Sequence, residues 1–297
     1  MKKTLLIALL LAAFAPIFAF EYTYEGNTLE YTILSDNTVS VKHGSKDPQG
    51  KLVIPEIVSD GNQDYMVVVV DSNAFNAKTS ISSIVLPSTI KHIRYQAFRD
   101  LNQENLTITL NEGLETIGDR AFCKSTGFRG TMLLPASLDT IDDYAFHGCV
   151  GLVDFSLPMS VVTINDYAFY GCTQLNKIML PNNLTNLGSY AFSGCKNFPS
   201  INIPQYITII PTGCFYDCDG MTDIYLPENV RLIQSKAFGE CGGLVNFTCY
   251  ATEPPAIYSD TFSGMNENLK IYVPSESVNA YKTAWSTYAN NIVAIGE

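Results

Sequence analysis

The sequence predicts a repeat solenoid: a right-handed array of about nine coils, each of 23 or 24 residues, that is capped at both ends. Three observations support this fold class: an aromatic residue that returns at a fixed interval, apolar residues at fixed distances from it, and a short alternating stretch that ends in Leu-Pro. The repeated aromatics are Phe75, Phe98, Phe122, Phe146, Phe169, Phe192, Phe215, Phe238 and Phe262. Units repeated at one period bury their apolar columns against one another, so the array is predicted to be continuous.

The N-terminus predicts a secretory signal peptide over residues 1–19. Two lysines precede an apolar run of about fifteen residues, and the small residue Ala19 stands before the polar stretch EYTYEG. The run is short for the roughly 20 residues of a spanning helix and contains Pro16, which disfavours a membrane anchor. Cleavage would change the net charge from −11 to 16 − 29 = −13. Such an acidic chain disfavours nucleic acid as a partner.

The two ends of the array are predicted to be covered, because an open terminal coil exposes apolar surface and strand edges. We expect an N-terminal β cap over residues 20–60, the solenoid over residues 61–274, and a C-terminal cap over residues 275–297. In the last segment Val278, Tyr281, Trp285 and Tyr288 recur at helical spacing. The final stretch NNIVAI can add one more strand.

Each coil is predicted to place one strand in a parallel β-sheet and a short helical turn on the opposite side. In LNKIMLP, at 175–181, Ile178 and Leu180 face one way and Lys177 and Met179 the other, and proline ends the strand. A serine, threonine or aspartate three residues before most of the repeated aromatics is interpreted as a helix N-cap. Glycines two residues after the aromatic suit a left-handed exit from the turn.

The pattern L-x-x-I-x-L-P-x-x-[LV]-x-x-I-x-x-x-A-F-x-G-C resembles the BspA-like family of leucine-rich repeat proteins over about residues 50 to 275. The flanking stretches, YTYEGNTLEYTILSDNTVSVKHG before the array and IYVPSESVNAYKTAWSTYANNIVAI after it, are similar to that family as well. The resemblance implies a surface protein that interacts with host proteins or other cells. One departure is that no asparagine ladder follows the strands, so the curvature of ordinary leucine-rich horseshoes does not carry over.

The residue types that carry chemistry have structural interpretations. Five of the eight cysteines share one repeat column, and cysteine exchanges elsewhere with alanine, leucine and methionine, which favours buried free thiols over disulfides. Asp142, Asp143 and Asp166 are expected to cap turns rather than to form an acid–base pair or a calcium site. The three histidines fall in different coils, and no C-x-x-C motif occurs. We expect no enzyme, no cofactor and no metal site; an enzyme with a site assembled across several coils is the minor alternative.

The outward strand positions are the predicted recognition surface, since they are freed from core packing and vary most between coils. The candidates are the larger or charged side chains among them: Asp154, Lys177, Met179, Asp223, Tyr225 and Tyr272. A second candidate is the strip formed by Tyr144, Tyr167 and Tyr190 in successive coils, for a glycan or peptide, with mutual packing of the rings as the alternative.

The sequence therefore predicts an exported, non-enzymatic scaffold for protein–protein interaction or adhesion at the cell surface. The location is secreted, periplasmic or cell-surface, and a glycan-binding surface protein is the alternative. The partner is a protein or glycan that nothing in the sequence identifies, and the oligomeric state stays open.

Overall fold

A computed structural model of the chain describes residues 18–35 and 37–296. All but the last two residues of the predicted signal peptide therefore lie outside the described residues. The described part forms 24 strands, a helix α1 (Val278–Ala284) and two short 3-10 segments (Ser275–Ser277 and Ser286–Asn291). The strands are β1 (Ala19–Tyr24), β2 (Asn27–Ser35), β3 (Thr38–His43), β4 (Gly50–Val53), β5 (Ile57–Ser59), β6 (Asp64–Val70), β7 (Ile81–Val85), β8 (His92–Ile93), β9 (Thr107–Thr109), β10 (Thr116–Ile117), β11 (Gly130–Leu133), β12 (Thr140–Ile141), β13 (Leu152–Ser156), β14 (Thr163–Ile164), β15 (Lys177–Met179), β16 (Asn186–Leu187), β17 (Ser200–Asn202), β18 (Ile209–Ile210), β19 (Asp223–Leu226), β20 (Leu232–Ile233), β21 (Asn246–Cys249), β22 (Ala256–Ile257), β23 (Lys270–Val273) and β24 (Ile292–Ala294).

The predicted parallel β-solenoid is confirmed, but each coil contributes to two sheet faces rather than one. The long-strand face consists of β4-β7-β9, then β11-β13-β15, then β17-β19-β21-β23-β24. The short-strand face joins β6-β8-β10-β12-β14-β16 and, separately, β18-β20-β22. Most strands of this second face have only two residues, too few to show alternation in the sequence. The column that contains His92, Thr116 and Thr140 lies in this face.

The third side of each coil, which we call the turn face, contains no helix in the described residues, so the predicted helical turns and N-caps are wrong. The backbone N–H groups of Tyr144, Phe146 and Gly148 donate to carbonyls of the next coil, at 2.7–2.9 Å. Positive φ at Tyr144 (55°) and at Gly148 (69°), four residues later, turns the backbone away from a helical path. The predicted left-handed conformation of the glycines after the aromatic is therefore correct. These glycines do not end a helix, because N–H groups such as that of Gly148 belong to a ladder of hydrogen bonds between coils.

The aspartates interpreted as caps act between coils. The Asp143 Oδ1 atom accepts the backbone N–H of Asp166, 3.0 Å away in the next coil, and Asp166 Oδ1 in turn accepts the N–H of Ser189 at 2.6 Å. A serine at the same position has a shorter side chain but leaves the ladder itself intact, which explains why these residues interchange.

The core is a continuous row of side chains along the array. The nine repeated phenylalanine rings stack from Phe75 to Phe262, with centroids 5.2–5.8 Å apart. Each ring is buried, together with the small residue that precedes it. Removal of this apolar area from water is the main stabilising contribution to such a stack.

Both ends of the array are covered by non-repeat segments. At the N-terminal end, β1, β2 and β3 pair antiparallel, and β3 pairs in parallel with β6 of the short-strand face. At the C-terminal end β24 extends the long-strand face beyond β23. The Trp285 indole N–H donates to the Pro255 carbonyl at 2.8 Å, and its ring packs against Phe262. The tryptophan thus covers the last coil.

Candidate functional site

The six candidate residues lie on the long-strand face, but the structure does not gather them at one point. Asp154 and Lys177 are register partners on β13 and β15, and Asp223 and Tyr225 share β19, two strands from Tyr272 on β23. Lys177 is exposed, as are Met179 (73% of its surface) and Tyr225 (36%). Asp154, Asp223 and Tyr272 are half-buried.

Each long strand from β7 to β23 has two outward positions, as Lys177 and Met179 are on β15. At the second of these positions, large and small side chains alternate from coil to coil. The large members are Val85, Leu133, Met179, Tyr225 and Tyr272, and the small polar ones between them are Thr109, Ser156, Asn202 and Thr248. Leu133 is 71% exposed. Since adjacent strands are about 4.8 Å apart, the large side chains recur at roughly 10 Å along the array. The face therefore presents a row of separated apolar anchors.

A cleft opens between β15 and β17, in the middle of this row. Within the described residues, no backbone hydrogen bond joins these two strands, nor β16 to β18 on the short-strand face. The cleft has a volume of about 790 Å³, within the range of about 300–1,000 Å³ typical of ligand sites. Lys177, Met179 and Tyr225 line it, so three of the six predicted residues meet there. Tyr250, which sequence reasoning missed, lines the cleft as well.

Two prolines explain why the ladder is interrupted at this coil and on both faces. Pro199 occupies the column in which Asn176, Thr222 and Val245 each donate a backbone N–H to the preceding coil. Proline has no N–H, so the bond to the Asn176 carbonyl cannot form. On the short-strand face, Pro211 occupies the column in which Asn165 and Gln234 donate. A proline at these two columns was the signal in the sequence that could have located the cleft.

The turn face stays closed beside the cleft. The N–H groups of Tyr190, Phe192 and Gly194 donate to the carbonyls of Thr212, Cys214 and Tyr216 at 2.7–2.9 Å. The coils are therefore joined on one side and separated on the other two. Ile178 and Leu180, whose counterparts Ile224 and Leu226 are fully buried, keep 7% and 8% of their surface accessible. The floor of the cleft thus reaches the apolar core.

Charge is sparse at the cleft. Lys177 is the one charged side chain that lines it, and no ion pair of Lys177 occurs among the described residues. Beyond the cleft, the Asp223 carboxylate accepts the Nδ2–H of Asn246 at 2.8 Å. A free cation on an otherwise acidic chain is a local attraction for a negatively charged ligand group.

The alternative strip of Tyr144, Tyr167 and Tyr190 is packed against itself. The ring centroids are 4.7 and 5.1 Å apart and the planes nearly parallel. The Arg120 guanidinium covers the outer face of Tyr144 at 4.4 Å, and Tyr190 lies over Gly213. Burial and the neighbouring tyrosines raise the pKa of Tyr167. Only ring edges are open, whereas stacking on a sugar needs a ring face.

Other reactive groups are arranged for packing. Burial raises the pKa of Asp119 and of Asp143, whose neighbouring carboxylates add to the shift. The Cys123 thiol lies 3.6 Å from Nδ1 of His147, but burial raises the pKa of the thiol and lowers that of the imidazole. These shifts favour the neutral pair over a thiolate–imidazolium nucleophile. The part of the chain that the structure describes holds no group of three or more metal-ligating side chains.

A second, smaller cleft of about 320 Å³ lies between β9 and β11 on the long-strand face, lined by Thr107, Thr131 and Leu133. The short-strand face continues past it through β10 and β12, so the coils separate on one side only. No helix among residues 18–35 and 37–296 is long and apolar enough to cross a membrane.

Comparisons with known proteins agree with the repeat assignment. The model of the BspA type leucine rich repeat region matches residues 68–158 and 139–270, in six copies. The structure of the T. pallidum leucine rich repeat protein TpLRR is similar, with 26% identity, a TM-score of 0.53, and coverage of 73% of this chain and 87% of that one. A leucine rich cell surface protein from Faecalibacterium prausnitzii A2-165 shares the fold at 21% identity and a TM-score of 0.51, over 94% and 95% of the two chains. No curated protein matches the sequence.

Proposed function

Because the chain belongs to the BspA-type leucine-rich repeat family, we propose that it is an exported scaffold that binds a protein partner through its long-strand face. The family suggests a protein-interaction scaffold, and its members are bacterial surface proteins. Adhesion at the cell surface is the specific role that we propose. Export would follow from the signal peptide predicted at residues 1–19, with residues 20–60 and 275–297 as the caps of the secreted form.

The observation that supports the proposal most is the row of apolar anchors, of which Leu133, Met179 and Tyr225 are exposed. Aromatic side chains and methionine are enriched at protein interfaces, and each true anchor there contributes more than about 1 kcal/mol. Met179 and Tyr225 fit that description, and each lies on a strand that a ladder holds: β11-β13-β15 before the cleft and β17-β19-β21-β23-β24 after it. A rigid scaffold lowers the entropic cost of binding, because its anchors are already ordered.

The tyrosine strip supports a glycan ligand less well, since its ring faces are occupied by one another and by Arg120. We do not propose an enzyme, because Asp143 and Asp166 bind the backbone of the next coil and the Cys123 thiol contacts His147 of the next coil. The long-strand face remains the better candidate surface.

The test is binding of the mature protein to purified matrix proteins, cell-surface proteins and glycans on a biosensor. We expect the double variant Tyr225→Ala/Lys177→Ala to weaken a protein interaction by roughly tenfold or more while thermal stability stays nearly unchanged, since both side chains are exposed. The matched control is Tyr258→Ala/Lys236→Ala, which removes an exposed tyrosine and an exposed lysine away from the long-strand face. If the double variant binds normally and a triple alanine variant of the tyrosine strip does not, the proposed face is wrong.

A further inference from the structure

We propose that the cleft between β15 and β17 binds an extended peptide segment that carries an acidic side chain. This inference rests on the proposed function, because it assigns the ligand chemistry of one part of the long-strand face. The ligand is recognised through its backbone, its alternate apolar side chains and one negative charge.

The backbone groups at the two lips of the cleft require an extended chain. β15 pairs with β13 on one side, and β17 pairs with β19 on the other. The edges of β15 and β17 that face each other have no ladder partner among the described residues. An unpaired strand edge is a template for an added strand, since its free N–H and C=O groups gain partners. Cα atoms of β15 and β17 lie within 8 Å of one another, whereas a strand between them needs about 9.6 Å, so the two coils must move apart by about 2 Å as the peptide enters. A glycan cannot supply that alternating pattern of donors and acceptors.

The floor of the cleft suits alternate apolar side chains. Ile178, Leu180, Ile201 and Ile203 form it, and Met179 and Tyr225 stand at its rim. In an extended peptide every second side chain points to the same side, at about 6.6 Å intervals. One set would therefore contact the aliphatic floor, and the other set would face solvent and the rim.

The charge of the ligand follows from Lys177. This ammonium group lines the cleft, has no ion pair within the described residues, and meets no other charged side chain in the lining. The amides of Asn176, Asn182 and Asn202 that also line the cleft are neutral. A carboxylate on the peptide satisfies Lys177, whereas a basic peptide adds an unpaired cation beside it.

The experiment uses fluorescent peptides of about seven residues, alternating valine and threonine, with a central glutamate, glutamine or lysine. We expect the mature protein to bind the glutamate peptide roughly tenfold more tightly than the lysine peptide. Lys177→Glu should reverse this preference. The matched control Lys270→Glu changes the same outward column four coils away and should leave the preference as it is.

A second variant tests the cleft itself. Pro199→Thr introduces the residue that the next coil has at this column, Thr222, and with it the missing N–H donor. Closure of the ladder should weaken binding of all three peptides by roughly tenfold and raise the melting temperature. Oligogalacturonate, an acidic glycan, is a further probe and should not compete with the glutamate peptide.

The proposal is overturned if none of the peptides binds saturably, if Lys177→Glu leaves the order of affinities unchanged, or if oligogalacturonate binds and the glutamate peptide does not. The proposed function is tested separately. If Pro199→Thr still binds the protein partner while Tyr225→Ala/Lys177→Ala does not, recognition belongs to the long-strand face and the cleft proposal fails alone.

Discussion

At the scale of single residues, the cysteine column shows how a side chain can belong to two coils. The thiols of Cys149, Cys172, Cys195, Cys218 and Cys241 each donate to the carbonyl of the repeated phenylalanine one coil earlier, at 2.9–3.3 Å. Ser125 occupies the same column and donates to the Phe98 carbonyl in the same way. Burial raises the pKa of the Cys172 and Cys241 thiols to about 12, so they stay neutral at ordinary pH. The thiols are therefore hydrogen-bond donors as well as buried packing groups.

Replacement of Cys195 tests this role. Cys195→Ala should lower the free energy of unfolding by about 1–3 kcal/mol, because the Phe169 carbonyl loses its donor and a small cavity remains. Cys195→Ser keeps a donor at the same place, as Ser125 does naturally, and should lose less. Urea denaturation of both variants measures the difference. A serine variant less stable than the alanine variant would show that the thiol acts by packing alone.

Burial of the cysteines could be predicted from the sequence, because apolar residues occupy the equivalent positions in other coils. Their hydrogen-bond partners did not, since each acceptor is a main-chain carbonyl of another coil. The same limit applies to Asp143 and Asp166. Their position before Ala-Phe is that of a helix N-cap, and only the left-handed backbone at Tyr144 and Tyr167 redirects the carboxylates to the next coil.

At the scale of elements, the turn face combines a strained backbone with stacked rings. Tyr144, Tyr167 and Tyr190 have φ of 55–58°, a conformation that costs side chains other than glycine about 1 kcal/mol or more. Their rings stack on one another, and the coil after Tyr190 has Gly213 in the same column. A Cβ atom at Gly213 would lie 2.2 Å from the Tyr190 ring. The glycine therefore provides the surface on which the stack ends.

Gly213→Ala should be more destabilising than Gly171→Ala by about 1 kcal/mol, the contribution of one stacked aromatic pair. Both glycines have positive φ, 58° and 69°, so both variants carry the backbone strain. A Cβ at Gly171 meets no atom within 4 Å, whereas at Gly213 it displaces the ring of Tyr190 from Tyr167. Urea denaturation compares the two variants. In a Tyr190→Ala background the difference should disappear; if it persists, strain and not the ring is responsible.

The elements differ in how far the sequence reveals them. The long strands show alternation over several residues before Leu-Pro, so their faces and the exposed positions of Lys177 and Met179 were predictable. The strands of the short-strand face mostly span two residues. Only the second residue is apolar in every coil, as Ile164 is in Thr163–Ile164. Such a pair gives no periodicity, and only the neighbouring coils make it a strand.

At the scale of the whole molecule, the array is continuous in its core and interrupted in its sheets. The phenylalanine stack passes the cleft, with Phe192 and Phe215 5.8 Å apart. Both sheet faces end there, because Pro199 and Pro211 remove a donor from each ladder. The stability of a repeat protein is approximately a sum of coil terms and nearest-neighbour terms. The contact between the coils on the two sides of the cleft is therefore the weakest interface in the interior of the array.

This weak interface predicts two levels of protection in native-state hydrogen exchange. The hydrogen-bonded amides before the cleft, up to β16, should share one free energy of opening, and those from β17 onward should share another, because each block opens as a unit. Pro199→Thr adds a hydrogen bond across the boundary and should bring the two levels of protection together. The control is Pro158→Asn, which changes a proline at the end of a strand to the residue that Asn111 provides in another coil. This control should leave the two levels apart. Exchange measured by mass spectrometry of peptic fragments resolves the two blocks. A single level along residues 50–273 of the unmodified protein would mean that the stacked core, and not the sheet ladder, sets the cooperativity of the solenoid.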